Sequence, residues 1–160
     1  MPSTVVILRE SLALTTLQDV TRENWRACIR LEIHEHQQGF VASNVATIAE
    51  SRFEPHFVLR AIYAEDKVVG MLAYCPEDDP PDPTLYWIFR LMIDKHHQGQ
   101  GIGTAAMRLA IEEIRQLGAH RVRTMHKPSN EIAAALYPKL GFQQIGFHDD
   151  GDVLLELELQ

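Results

Sequence analysis

The sequence has few of the features that mark secreted, membrane-bound or metal-binding proteins. Its two cysteines, Cys28 and Cys75, are isolated and lack the close spacing of a metal site. We therefore expect reduced thiols packed inside a cytoplasmic protein. No apolar run approaches the ~20 residues of a membrane span, and the first residues lack the basic flank of a signal peptide. These absences predict a protein without a membrane partner and without a bound metal.

Positive charge is also scarce, with 15 Lys and Arg against 22 Asp and Glu, a formal net charge of −7. Such a balance disfavours nucleic-acid binding, which usually needs a basic surface. Residues 95–127 are the exception, because they carry six basic and two acidic side chains, whereas residues 61–94 and 128–160 each have a net charge of −5. The basic segment favours a polyphosphate ligand, although an unevenly charged solvated surface explains the same counts.

Apolar periodicity and turn residues predict one α/β (α+β) domain with a mixed sheet of about seven strands flanked by four helices. Residues 1–10 are expected to form a peripheral extension. Thr21 caps a predicted first helix that continues past Ile33 to Gly39, and residues 76–83 are expected to form an exposed loop. The remaining predicted helices span 43–50, 102–117 and 130–140, and the predicted strands span 11–17, 57–63, 68–74, 85–94, 120–125, 142–147 and 153–159.

The predicted long helix 102–117 follows a glycine-rich turn. Its apolar stripe is expected to bury Ile102, Ala105, Ala106, Leu109, Ile114 and Leu117. The turn before it reads Gln98-Gly99-Gln100-Gly101-Ile102-Gly103. Glycine lets the backbone approach a ligand closely, and a helix N-terminus offers unpaired N–H groups and a positive dipole end. The stretch therefore predicts an anion site, most often one for phosphate.

Three kinds of phosphate site can follow a strand in this way. A nucleoside triphosphate loop needs a lysine after the last glycine, and none follows Gly101 or Gly103. A dinucleotide fingerprint fits Gly101-x-Gly103-x-x-Ala106, but the next predicted strand ends at Lys127 without the acidic residue that would bind a ribose. The third pattern is Q-x-x-G-x-G, formed by Gln98, Gly101 and Gly103.

With that third pattern the chain resembles the GNAT superfamily of acetyl-CoA-dependent N-acetyltransferases. Leu91-Met92-Ile93-Asp94 is similar to the strand end that precedes the loop in this superfamily. The stretch Asn130-x-x-Ala133-x-x-x-Tyr137-x-x-x-Gly141-Phe142 is similar to its second signature. The resemblance covers roughly residues 11–159. It implies the single-domain fold of that superfamily, acetyl-CoA as the cofactor, acetyl transfer to an amine, and commonly a homodimer.

The resemblance also implies roles for particular residues. The amides of Gln98, Gly99, Gln100, Gly101, Ile102, Gly103 and Thr104 would bind the pyrophosphate of coenzyme A, with an added contact from the Gln98 side chain unless that side chain is merely solvated. The preceding strand would bulge and splay, so that the amides of Leu91, Met92 and Ile93 bind the pantetheine arm, with Met92 nearest the acetyl carbonyl. Tyr137 would protonate the leaving thiolate, although a half-buried helix tyrosine is the alternative. Asn130 would contact the cofactor near its thiol, although a helix N-cap explains it equally well.

Several fragments resemble bacterial diamine and polyamine (spermine/spermidine) N-acetyltransferases, among them Phe40-Val41-Ala42-Ser43-Asn44 and the strand around Trp87. A polyamine site needs spaced carboxylates and an aromatic wall. Glu32 and Glu35, three residues apart on the predicted first helix, with Phe40 and Trp87, are the candidates for this site, and a solvated helix face is the alternative for the two glutamates.

Other questions about the acceptor stay open in the sequence. An antibiotic amine, an amino acid or a protein N-terminus is an alternative acceptor, and a non-catalytic acyl-CoA sensor is an alternative function. Glu35, Asp94 and the acidic loops are all candidates for the base. His34 and His36 are expected to face different sides of the first helix, which disfavours a metal pair.

Overall fold

The computed structural model describes residues 14–160, so the predicted extension of residues 1–10 and the start of the predicted first strand lie outside the described part. Seven strands and four α-helices are found in residues 14–160, as the sequence predicted. In chain order they are β1 Thr15–Asp19, α1 Trp25–Ile29, α2 Asn44–Ser51, β2 Val58–Ala64, β3 Lys67–Asp78, β4 Pro81–Ile93, α3 Ile102–Gln116, β5 Arg121–His126, α4 Glu131–Lys139, β6 Gln143–Phe147 and β7 Val153–Glu158.

The strands form one mixed sheet in the order β1-β2-β3-β4-β5-β7-β6. Neighbouring strands pair antiparallel except β4 and β5, which are parallel. A parallel pair needs a crossover connection, and the stretch from the glycine loop through α3 supplies it. The centre of the sheet is therefore also the place where the predicted phosphate loop lies.

The two central strands separate after a short paired stretch. β4 pairs with β5 only from Leu85 to Trp87, although β4 continues to Ile93 and β5 to His126. On its other side β4 has a bulge against β3, because Ala73 pairs with Arg90 and Tyr74 with Ile88, which leaves Phe89 as the extra residue. The predicted bulge and splay are thus both present, and they open a cleft between β4 and β5.

Helix α3 covers the sheet with a face slightly different from the predicted one. Its buried residues are Ile102, Ala106, Met107, Ala110, Ile111 and Ile114. Leu109 and Leu117 were predicted to be buried but are 38% and 55% exposed. The predicted stripe was wrong there, and at the half-buried Ala105, because the buried face is centred one position later, on Met107 and Ala110. None of the helices in residues 14–160 is long and apolar enough to cross a membrane.

The predicted first helix is much shorter in the structure. α1 ends at Ile29, and after an irregular segment only a single 3-10 turn, Glu35–Gln37, follows before Gly39. The irregular segment bonds to the end of β4 instead, since the Glu32 N–H donates to Asp94 Oδ1 at 2.9 Å and the Lys95 N–H donates to the Glu32 carbonyl at 2.7 Å. These tertiary bonds replace the helical ones, so Glu32 and Glu35 do not share a helix face.

Two further predictions near the surface are corrected. His34 and His36 do not point apart, because their rings stack with centroids 5.6 Å apart and an interplanar angle of 13°. Residues 76–83 are not a loop, because β3 and β4 extend through them as a hairpin that pairs Glu77 with Asp82. The Glu77 carboxylate stabilises this hairpin by accepting the indole N–H of Trp87 at 2.9 Å.

Candidate active site

A cavity of about 560 Å³ occupies the cleft where β4 and β5 diverge. Its walls come from both strands, the glycine loop, the first turn of α3, α4 and residues 33–41. Twelve of the predicted site residues line it, namely Phe40, Leu91, Met92, Ile93, Gln98, Gly99, Gly101, Ile102, Gly103, Thr104, Asn130 and Tyr137. Gln100, Glu32, Glu35 and Trp87 do not line this cavity.

The glycines of the loop serve different purposes. Gly99 and Gly101 have φ angles of +77° and +82°, which L side chains rarely adopt, and Gly101 caps α3. A Cβ at Gly103 would meet Ile93 Cγ1 at 3.7 Å and Leu136 Cδ2 at 4.0 Å, which are ordinary contacts. The first turn of α3 thus presents N–H groups without helical partners to the cavity, and no side chain at position 103 covers them.

The Gln98 side chain is used inside the protein. Its Nε2 donates to the Ile93 carbonyl and to Gln37 Oε1, both at 2.9 Å, and its Oε1 accepts from Gln37 Nε2 at 2.9 Å. Gln37 is 8% exposed and belongs to the 3-10 turn. The amide therefore fixes the start of the glycine loop to the strand and to residues 35–37. It is neither a solvated side chain nor one free to reach toward a phosphate.

Backbone direction decides which amides of β4 face the cleft. The Asp94 N–H donates to the Val69 carbonyl of β3 at 2.8 Å, and Met92 pairs with Met71 of the same strand. Because N–H directions alternate along a strand, the Met92 amide points to β3 with that of Asp94. The amides of Leu91 and Ile93 point to the open side. The resemblance placed the Met92 amide nearest the acetyl carbonyl, but this amide points to β3, whereas those of Leu91 and Ile93 face the cleft.

Tyr137 is presented to the cavity by α4. Asn130 caps this helix by accepting the Ala133 N–H at 3.2 Å, so the capping interpretation of Asn130 is correct, and the residue also lines the cavity. Tyr137 is 6% exposed and packs against Phe142, with centroids 5.7 Å apart. Burial raises the pKa of Tyr137, an effect that a hydrogen bond with Thr124 only partly offsets. The phenol therefore stays protonated at neutral pH and can donate a proton.

The charge of the cavity lining suits a polyanionic ligand. The titratable side chains among its described lining residues are Arg90, His97, His126, Tyr137 and Lys139, and no carboxylate is found among them. His126 was missed in the sequence although it lies on the buried face of β5, where burial alternates with every second residue. Its Nδ1 lies 2.8 Å from the Lys127 carbonyl. Nδ1 therefore carries a proton in this bond, because a carbonyl oxygen can only accept.

Three of the four residues predicted to bind the acceptor lie away from this cavity. Glu32 forms an ion pair with Lys95, Oε2 to Nζ 2.6 Å, which lowers the pKa of Glu32. Trp87 points to the hairpin of β3 and β4 through its bond to Glu77. Glu35 is exposed, and no described cation pairs with it. Only Phe40 lines the main cavity.

A second cavity of about 360 Å³ adjoins the first and shares Ile33, Val41 and Met92 with it. Its other walls come from α1, α2 and the segment between them, and they combine apolar side chains with those of Gln38, Ser43 and Asn44 and the carboxylate of Glu32. The side chain of Met92 thus separates the two spaces, and its Sδ lies 3.7 Å from Asn44 Nδ2. The second space therefore has a mixed lining, and its carboxylate, Glu32, lies outside the main cavity.

Asp94 is a poor candidate for the base. Burial alone would raise the pKa of this carboxyl, but hydrogen bonds from the backbone N–H groups of Glu32 and His96 and from the imidazoles of His96 and His97 outweigh it and lower the pKa. A carboxylate held by four donors fixes the loop and has little tendency to take a further proton.

The comparisons agree with this geometry. The family model described as "Acetyltransferase (GNAT) family" matches residues 15–142. A probable spermine N(1)-acetyltransferase of Bacillus subtilis subsp. natto is 27% identical over 148 residues, which cover 89% of this chain and 97% of that protein. A spermine/spermidine N(1)-acetyltransferase of Bacillus subtilis is 26% identical over the same length, with the same coverage.

Among solved structures, the PaiA N-acetyltransferase of Thermoplasma acidophilum in complex with coenzyme A has a TM-score of 0.70 and 13% sequence identity, and the match covers 91% of this chain and 99% of that one. This likeness shows the fold. Taken with the family model, the open strand edge and the carboxylate-free cleft, it leads to one conclusion: the chain belongs to the GNAT family and is an acetyl-CoA-dependent N-acetyltransferase.

Proposed function

We propose that this N-acetyltransferase acetylates a primary amine of a diamine or polyamine, such as spermidine or spermine, by direct attack in a ternary complex. The observation that carries direct attack is the cleft itself. Neither Cys28 nor Cys75 lines it, so the described lining offers no thiol to hold the acetyl group between two half-reactions. The two Bacillus relatives named for spermine support the acceptor class.

The residues present fit the cofactor that the family uses. Bound acetyl-CoA would supply an acetyl thioester to the cleft. The amides of residues 98–104 would hold its pyrophosphate at the N-terminus of α3. The amides of Leu91 and Ile93, which face the open side of β4, would bind the pantetheine arm and polarise the carbonyl. A donor aimed at a developing oxyanion is typically worth about 3 kcal/mol of barrier.

Proton transfer uses two routes in this proposal. Tyr137, neutral and buried against the cavity, gives its proton to the departing thiolate. Asn130 keeps Nδ2 for a contact near the thiol, because its Oδ1 caps α4. The acceptor ammonium loses its proton to water before the neutral amine attacks, since no carboxylate is found among the described residues that line the cavity.

The acceptor enters from the side of residues 33–45. Phe40 and Met92 form an apolar wall for its methylene chain, and the second cavity extends that wall beyond Met92. A remote ammonium then lies near Glu35, the exposed carboxylate two residues before the cavity-lining Gln37. An exposed ion pair of this kind contributes little to affinity, about 0.2–1 kcal/mol, so chain length and apolar contact would do most of the selection.

A panel of amines tests this proposal. The protein is mixed with acetyl-CoA and putrescine, spermidine, spermine, an aliphatic monoamine, an amino acid or an aminoglycoside, while thiol release and the mass of each product are followed. We expect the highest kcat/KM for a polyamine. If only the amino acid or the aminoglycoside is acetylated, the polyamine proposal fails while the family assignment stands.

The lining favours a second acceptor class as well. Lys139 lines the main cavity with no described carboxylate beside it, whereas Arg90, the other strong cation of the lining, has its Nη2 3.5 Å from Glu50 Oε2. An amine with an anionic remainder, such as an amino acid, would find a better electrostatic match in this space than a polycation. The same panel decides between the two classes.

We also propose a homodimer in the cytoplasm. β6 ends the sheet as an edge strand, and its Ile145 and Phe147 are 47% and 64% exposed. Exposed apolar side chains on an edge strand are typical of a surface that pairs with another chain. The cysteines are free thiols, as expected in a reducing compartment. Light scattering during size-exclusion chromatography tests the dimer, since a monomeric mass at micromolar concentration contradicts it.

A further inference from the structure

The side chain of Met92 separates the two cavities. Met92 lines both the main cavity of about 560 Å³ and the second cavity of about 360 Å³, and it is 9% exposed. Side chains alternate between the two faces of a strand, and Leu91 and Ile93 pack against the core that α3 covers. Met92 therefore faces α2, as does Arg90, whose Nε donates to Thr47 Oγ1 at 3.2 Å. The partition between the cavities is thus a strand residue on the α2 side of the sheet.

The contact between Met92 and Asn44 is weak. Met92 Sδ lies 3.7 Å from Asn44 Nδ2, which also donates to the Cys28 carbonyl at 2.9 Å. A thioether sulfur is a poor hydrogen-bond acceptor, and the unbranched methionine side chain adapts its shape easily. The Asn44 amide is therefore fixed by the backbone of α1, whereas the Met92 side chain can move against it.

The two cavities differ in charge and in the elements that form them. The main cavity includes the glycine loop, β5 and α4, and Lys139 lines it with no described carboxylate beside it. The second cavity is formed by α1, α2 and the segment between them, and the titratable side chain of its described lining is Glu32, whose partner Lys95 lies outside that lining. A carboxylate disfavours phosphates and favours a cation, and Ile29 and Val45 add apolar surface. The second cavity therefore suits the chain of an amine better than any part of the cofactor's phosphates.

We propose that Met92 is a specificity-determining residue for the acceptor, a movable partition that the alkyl chain of an amine must displace to enter the second cavity. This proposal rests on the proposed entry of an amine from the side of residues 33–45. Each methylene group that leaves water should strengthen binding about fourfold. Beyond Met92 the gain per methylene is smaller, because moving this side chain gives up part of its own packing. The site thus discriminates between acceptors by the length of their chains.

A series of n-alkylamines from butylamine to decylamine tests the proposal. Calorimetry measures the binding of each amine to the complex of the protein with coenzyme A. We expect the affinity of the unaltered protein to rise about fourfold per methylene for the short amines and at most about twofold for the long ones. In Met92→Ala the steep rise should continue over about two further methylenes. Met92→Leu, which keeps a bulky apolar side chain, is the matched control and should retain the early change of slope.

Ala42→Phe tests the second cavity without altering the partition, because Ala42 lines the second cavity and not the main one. Alone, this substitution should weaken the binding of decylamine at least about tenfold more than that of butylamine. Combined with Met92→Ala, it should restore the early change of slope. The single variant keeps the test decisive if Met92→Ala is unstable, and thermal unfolding of each variant checks that the fold is retained.

Three results would overturn the proposal. The first is the same dependence of affinity on chain length, or none, in the unaltered protein and Met92→Ala. The second is a prolonged rise in Met92→Ala that Ala42→Phe does not reverse, because the chain would then use only the main cavity. The third is tighter binding of hexanoyl-coenzyme A than of acetyl-coenzyme A in Met92→Ala with an unchanged amine series, which would assign the second cavity to an acyl chain.

The outcome is separate from that of the polyamine proposal. An n-alkylamine carries one ammonium group, so its binding does not depend on whether polyamines are substrates. Turnover of spermine without any change of slope would refute only the role of Met92. A change of slope without turnover of any polyamine would refute only the polyamine acceptor.

Discussion

Removing one buried hydroxyl gives the most direct test of the chemistry. In Tyr137→Phe the ring remains, so its packing against Phe142 at 5.7 Å and His126 at 6.1 Å is kept. The hydroxyl is buried, and replacing it should change the free energy of unfolding by only about 1 kcal/mol. A missing general acid should lower kcat by about 10²-fold or more, which corresponds to roughly 2.7 kcal/mol of barrier.

The assay separates chemistry from binding. Thiol release with saturating acetyl-CoA and the best amine of the panel gives kcat, and calorimetry gives the dissociation constant of coenzyme A. We expect kcat to fall while that constant stays within about twofold, because the cofactor would be bound mainly by the loop and by β4. Tyr86→Phe is the matched control, since it removes a hydroxyl from a half-buried tyrosine that does not line the cavity.

The pH dependence of kcat gives a second test of Tyr137. Because burial raises the pKa of Tyr137 above its usual value near 10, ionisation of this phenol should not reduce the rate below pH 10. An unchanged kcat in Tyr137→Phe would remove this residue from the acid role. A fall in kcat that Tyr86→Phe reproduces would instead indicate a general loss of stability.

Four further outcomes test other parts of the structure. Gly101→Glu should weaken coenzyme A binding, measured by calorimetry, at least tenfold more than the isosteric Gly101→Gln. Both variants strain a φ of +82°, but only the first brings a negative charge to the pyrophosphate. Gly118→Ala, which changes a glycine with a φ of +93° outside the cavity lining, should have no effect on this binding. Burial raises the pKa of Cys28 from 9.0 to about 11, so the free energy of unfolding should fall by roughly 2 kcal/mol as the pH rises from 9 to 11, and denaturant titrations of Cys28→Ala should show a shallower fall. Glu35→Gln should raise KM for spermidine roughly two- to fivefold and leave KM for a monoamine unchanged; an equal rise for both amines would exclude Glu35 from binding a remote ammonium. Ala42→Phe, which fills part of the second cavity, should raise KM for spermine more than for putrescine in steady-state assays, and equal changes would show that the cavity does not hold the longer chain.

The sequence predicted correctly those helices whose local capping and turn residues favour the same conformation as their packing in the fold. α3 begins after a glycine loop and α4 begins at an Asn cap, and both helices appear near their predicted bounds. The prediction of a long first helix was wrong because hydrogen bonds to residues distant in the chain determine where the helix ends. The Glu32 N–H is taken by Asp94, 62 residues later in the chain, and no periodicity within residues 21–39 signals that partner.

The error over Met92 has a different origin. Residue spacing identifies the strand that lines the cleft, but it does not say which of two successive amides faces the open side. That direction depends on register, and here the register against β3 shifts by one residue at Phe89. A single inserted residue reverses the direction of every later amide relative to an unbulged strand. The bulge is a property of strand pairing, so the motif alone could not reveal it.

The same bulge links the fold to the chemistry. Before Phe89 the Ile88 carbonyl points toward β5, where it accepts the Thr124 hydroxyl at 2.9 Å across the base of the cleft. After Phe89 the amides of Leu91 and Ile93 point toward β5 as well, but β5 has moved away and leaves them without a strand partner. A buried backbone N–H without a hydrogen-bond partner costs free energy. The extended arm of a ligand can accept hydrogen bonds from these two amides, which have no partner within the sheet. The specificity for a thioester on such an arm would then come from the backbone, which leaves the side chains of residues 33–45 to choose the amine.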